Sequence, residues 1–90
     1  MSKRVKQSPI PAPQPLQTAE TLGAFVRASR TQARMGIHEA AAFCGVAVGT
    51  MQKIECASGD VKLSSVLTVC KMLGVSINIE IRSEKWLKAC

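Results

Sequence analysis

Residues 37–55 read IHEAAAFCGVAVGTMQKIE, and this stretch decides the fold. Its first half predicts a short helix from Ile37 to Cys44, in which Ala40, Ala41 and Cys44 share one face at helical spacing. Gly45 follows as a residue that tolerates positive φ and closes a helix. After the turn Gly45-Val46-Ala47, a second short helix runs from about Val48 to Glu55 with Met51 and Ile54 pointing inward. Ala41 and Gly45 are small, as two helices that cross closely require.

Working outward, order begins near Thr18, an N-cap candidate. Leu22, Phe25, Val26 and Ser29 then share a helical face, while Arg27, Arg30 and Arg34 fall elsewhere, and Met35-Gly36 breaks the helix. Downstream, Cys56-Ala57-Ser58-Gly59-Asp60 reads as a loop. Leu63, Val66, Leu67, Cys70 and Leu73 then recur at i, i+3, i+4, i+7 and i+10, the cleanest helical stripe in the chain, and Gly74 stops it. Val75-Ser-Ile77-Asn-Ile79-Glu-Ile81 alternates strictly between apolar and polar, the signature of a strand with one buried face. A lone strand leaves unpaired backbone groups along its edges. The simplest partner is the same segment of a second subunit, with Val75, Ile77, Ile79 and Ile81 at the dimer interface. The expected fold is therefore all-α, a bundle of four to five helices plus one C-terminal β-strand pairing across a homodimer.

Composition fits one domain of 18–82 with tails at both ends. The chain has 90 residues, is 47% hydrophobic and contains three aromatics, Phe25, Phe43 and Trp86, so the core must be aliphatic. Residues 1–17 form a Pro-rich arm in which Pro9, Pro11, Pro13 and Pro15 stop helix and sheet alike, and it is expected to be disordered. This arm holds Lys3, Arg4 and Lys6 and no acid, half of the net charge of +6. A basic domain with a basic arm suits a polyanion such as DNA, and a merely solvated cationic surface is the plainer alternative. Cys44, Cys56, Cys70 and Cys90 form no Cys-x-x-Cys pair. Cys44 and Cys70 fall at apolar helical positions and read as small buried hydrophobes in a reduced cytoplasm. The lone His38 does not complete a zinc site. No metal, no cofactor and no membrane segment are expected, and no nucleophile–base constellation or phosphate-binding glycine loop points to an enzyme.

Two short helices joined by a glycine-containing turn, with a small residue early in the first helix, match the helix-turn-helix pattern. The longer stretch from Leu22 to Val75 resembles the Xre/Cro-type phage-repressor family. The residues that carry the resemblance are Leu22-Gly23, Val26-Arg27-x-x-Arg30, Met35-Gly36, Ala41-x-x-Cys44-Gly45-Val46, Met51-x-x-Ile54-Glu55, Gly59 and Leu73-Gly74-Val75. The alternating segment that follows is similar to the dimerising strand of HipB-type antitoxins.

The resemblance implies an ion pair between Arg30 and Glu55 that sets the angle of the second short helix. It also implies that Val48, Gly49, Thr50, Gln52 and Lys53 face the major groove of double-stranded DNA at an inverted-repeat operator. Lys53 would donate to guanine, Gln52 would pair with adenine or a phosphate, and Val48 would touch a thymine methyl. The chain departs from the family where Thr-Gln usually opens the first short helix, since Gly36 and Ile37 stand there, and Ala47 replaces a Ser or Thr cap. Backbone N–H groups at the helix start can still bind phosphate, with help from His38, and the operator grip is then either weaker or shifted to Arg34, Lys62 and the basic arm.

After the strand, Trp86 and Leu87 are the large apolar residues of a polar tail, 83–90. They either cover the dimer strand or anchor a partner protein. The resemblance implies as that partner a HipA-like kinase toxin, which would make this chain an autoregulating transcriptional repressor and antitoxin. The alternatives are a free-standing phage-type or restriction-modification-type regulator, and a module of this fold that binds protein rather than DNA.

Overall fold

Thr18 opens the first helix as its sequence position predicts. Its hydroxyl accepts from the Thr21 N–H at 3.1 Å, satisfying one of the donors that a helix start leaves unpaired. The structure, a computed structural model, describes residues 5–81. Four helices follow one another: α1 (Ala19–Gln32), α2 (Ile37–Cys44), α3 (Val48–Cys56) and α4 (Leu63–Leu73). Trp86, Leu87 and the remainder of the C-terminal tail lie outside the described residues, as do Lys3 and Arg4.

Two glycines end helices by entering the left-handed region. Gly45, at φ 73°, closes α2, and the Val46 N–H then reaches back to the Ala41 carbonyl at 3.0 Å. Gly74, at φ 78°, does the same for α4, with Val75 N–H on the Cys70 carbonyl at 2.8 Å. Ala57 ends α3 in that region at φ 55° without being a glycine.

The core is aliphatic and draws on all four helices. Val26, Ala40, Ala41, Cys44, Met51, Ile54, Val69, Cys70 and Leu73 form one buried cluster. Burial pushes the Cys44 and Cys70 thiols above the ordinary value of 9.0, with Cys44 adding to the rise at Cys70. Both are therefore protonated at neutral pH and pack as small apolar side chains.

The buried stripe of α4 differs from the sequence expectation. Val69, Cys70 and Leu73 are buried and Val66 is half-buried, whereas Leu63 and Leu67 are exposed. Two apolar stripes overlap on this helix, and both satisfy a 3.6-residue period. The one that meets the other helices is centred on Val69, so Leu63 and Leu67 fall on its margin.

The C-terminal segment is the second difference. Residues 75–81 form no strand among the described residues. A strand exists only through a ladder, and the single chain offers this segment no partner. Val75 and Ile77 are half-buried and pack against the core, while Ile79 is 94% exposed and Ile81 66% exposed.

α1 crosses the end of α3 at backbone distance. A Cβ placed on Gly23 would lie 2.6 Å from the Glu55 carbonyl oxygen and 2.7 Å from that of Ile54. Overpacking of this severity against backbone costs about 3 kcal/mol. Better helix propensity returns about 1 kcal/mol, so Gly23→Ala is expected to lose about 2 kcal/mol in urea denaturation. An unchanged midpoint would show that the crossing is slack.

Candidate nucleic-acid interface

The α2–turn–α3 unit presents one face of α3 outward. Met51 and Ile54 are buried on the inner side, and Gly49, Gln52, Lys53 and Cys56 are exposed on the other. Gly49 has nothing within 4 Å of where a Cβ would stand, so another molecule can approach the backbone there closely. Thr50 is half-buried at the edge of this stripe. Val48 is half-buried and packs against the core cluster, so only part of its surface is available for contact.

The aliphatic part of Lys53 runs beside Gly59. A Cβ at Gly59 would sit 3.6 Å from both its Cδ and its Cε, so the aliphatic stem lies over that glycine. The same stem borders a cleft shared with Ala19, Leu22 and Asp60. Long cationic side chains commonly bury their stems in this way while the charged head stays in water.

An ion-paired brace fixes the orientation of α3. Arg30 on α1 donates from Nε to Glu55 Oε2 at 2.5 Å and from its terminal nitrogen to Oε1 at 2.9 Å. Its other terminal nitrogen donates to the Met35 carbonyl at 2.9 Å. One guanidinium thereby ties α1, the α1–α2 turn and the last turn of α3. The pair is largely withdrawn from water, with side chains 11% and 2% exposed for Arg30 and Glu55. A two-pronged arginine–carboxylate contact fixes geometry as well as charge. Arg27, one turn earlier, stands 3.5 Å from the same carboxylate and is 55% exposed. Neither periodicity nor the family resemblance singles out Arg27 for this role. Its i−3 spacing from Arg30 is the signal that points to it.

The remaining expected contacts lie on other elements. His38 is exposed in the first turn of α2, and Lys62 is exposed immediately before α4. Arg34 is exposed past the end of α1, in the left-handed region at φ 61°. Gly36 and Ala47, which precede α2 and α3, supply no side-chain cap. The first N–H groups of both helices are therefore not engaged by a capping side chain.

Among the described residues no three His, Cys, Asp or Glu side chains gather as a metal site, and no helix is long and apolar enough to cross a membrane. No protein-family model matches the chain, and no curated protein shows significant similarity to it.

Proposed function

We propose that α2 and α3 act as a helix-turn-helix and that the chain is a sequence-specific repressor binding double-stranded DNA through α3. One observation carries the reading: α3 is braced from behind by the Arg30–Glu55 pair and buried through Met51 and Ile54, while Gly49, Gln52 and Lys53 stand uncovered. A rigid helix with donors on its outer face is what base-edge recognition in a major groove requires.

Lys53→Ala is expected to cost about 1–3 kcal/mol on the preferred duplex and to relax sequence preference. Gel shifts on an upstream promoter fragment and on random duplex measure this. Equal losses on the two would contradict a base-reading role. A chain that binds the promoter no better than random DNA would remove the repressor reading altogether.

The working unit in this proposal is a two-fold dimer that places two copies of α3 in successive major grooves, with half-sites about 10 bp apart or a multiple of that. Support comes from residues 75–81. Val75 and Ile77 dock on their own domain, and Ile79 and Ile81 are left without cover. In an extended segment these residues share a face, and the same segment of a second copy would bury them and pair the open backbone groups. Ile79→Lys is expected to leave the domain folded and abolish the dimer, as read by sedimentation. A dimer that survives would refute strand pairing.

The resemblance to HipB-type antitoxins adds the proposal that the repressor also restrains a HipA-like kinase. Trp86 and Leu87, the expected contacts, lie outside the described residues. A kinase reading frame beside this one would support the antitoxin role, and its absence would favour a free-standing regulator.

A further inference from the structure

The N-terminal segment is fastened to α1. Residues 5–17 carry no regular secondary structure, yet both backbone groups of Ser8 are engaged. Its N–H donates to Thr31 Oγ1 at 2.9 Å, and its carbonyl accepts from Gln32 Nε2 at 2.8 Å. Thr31 is buried, and its hydroxyl donates in turn to the Arg27 carbonyl at 2.9 Å. A helical threonine can satisfy its own O–H in this way, which leaves an oxygen lone pair for the incoming chain. Four prolines between Ser8 and α1 restrict the connecting segment, so less conformational freedom is lost when it is held.

This clasp creates a cationic cleft. Lys6, Gln7, Ser8, Arg27, Arg30 and Thr31 line a space of about 440 Å³, with no acidic residue among them. Arg30 is committed to Glu55, whose carboxylate offsets its charge, so the net positive charge of the cleft comes from Lys6 and Arg27. Lys6 and Arg27 are exposed, so both can meet a ligand. The cleft reaches α3 through the contacts of Arg27 and Arg30 with Glu55, whose side chain is 2% exposed. Arg27 lies 3.5 Å from the Glu55 carboxylate, and Glu55 follows Gln52 by three residues, on the neighbouring face of the same helix.

We propose that this cleft is a second phosphate-contact site, occupied by the sugar–phosphate backbone of the duplex beyond the base pairs that α3 reads, with the Ser8–Thr31 clasp holding Lys6 in place. The inference rests on the reading of α3 as a DNA-binding helix and deepens it. Phosphate contacts set register and affinity without reading sequence. The arm is thus a grip rather than a reader, on a chain that lacks the usual opening Gln at Ile37.

The test uses the full chain, a short random-sequence duplex and fluorescence anisotropy across a salt series. Removing one phosphate-binding cation lowers the slope of log affinity against log salt by about 0.9. Lys6→Gln/Arg27→Gln is therefore expected to reduce the slope by nearly two and to weaken binding at least about tenfold at 0.1 M salt, alike on random and preferred sequences. Thr31→Val/Gln32→Ala keeps every charge and releases both hydrogen bonds of the clasp. It is expected to lose about one unit of slope, with an unchanged helical signal and faster hydrogen exchange at the Ser8 amide. An unaltered slope in the double variant overturns the site. A Thr31→Val/Gln32→Ala slope equal to wild type, while Lys6→Gln lowers it, overturns the clasp. Tighter binding to single-stranded RNA than to duplex overturns the assigned occupant. If Lys53→Ala relaxes sequence preference while the double variant binds as wild type, this inference alone fails. If no duplex binds at all, the reading of α3 fails with it.

Discussion

Glu55→Ala is expected to cost about 3–5 kcal/mol of folding stability, because it strands the Arg30 guanidinium in a site that water barely reaches. Arg30 would keep one hydrogen bond, to the Met35 carbonyl, and lose both bonds to the carboxylate. Arg27 cannot compensate, since it carries the same sign of charge. For a domain of this size, total stability is on the order of 0.05–0.15 kcal/mol per residue, so the variant stands close to unfolding at 25 °C. Urea denaturation measures the loss. Arg30→Met in the same chain is expected to recover much of it, since removing both halves of a buried ion pair is often close to neutral. A loss below about 1 kcal/mol for Glu55→Ala would show the pair behaving as an exposed one. In the proposed function the recovered double variant would still bind DNA less well, because the brace that sets the angle of α3 is gone.

Met51→Ala is the second large effect, expected to cost about 2–5 kcal/mol. Met51 is fully buried and is the largest side chain in that condition among the described residues. It sits on the opposite side of α3 from Gln52 and Lys53, where it packs in the cluster shared with Val26, Ala41 and Val69. Truncation removes its apolar transfer energy and leaves a cavity that four helices must collapse to fill. Thermal unfolding followed by circular dichroism measures the loss. Met51→Leu keeps most of the volume and is expected to cost less than about 1.5 kcal/mol. Equal losses for alanine and leucine would mean that shape rather than volume governs this site.

The two variants separate the two ways in which α3 is held. Met51 anchors its middle through volume, and Glu55 anchors its end through charge. Gly23 completes the arrangement by letting α1 approach the α3 carbonyls closely enough for Arg30 to reach Glu55. None of these three groups belongs to the proposed DNA-reading stripe, yet each sets where that stripe stands.

Helix limits are legible in the sequence because they follow from local chemistry. A threonine caps α1, glycines end α2 and α4, and apolar residues recur at helical spacing on every helix between them. The inward side of α3 and the exposure of Gln52 and Lys53 follow from the same period. Encounters between distant residues are not legible in this way. Which of two overlapping stripes on α4 is buried depends on where the other helices lie, so period alone favours Leu63 and Leu67 over Val69. The approach of Gly23 to Glu55, the Ser29 hydroxyl on the Leu73 carbonyl and the Ser8 clasp on Thr31 join residues far apart in the chain. Each leaves no periodic trace, because a single long-range hydrogen bond or close crossing constrains one position and not a pattern. By itself the sequence determined which segments are helical and which sides are apolar. Tertiary structure decided how those sides meet, since packing energy depends on the mutual fit of all four helices and not on any one of them.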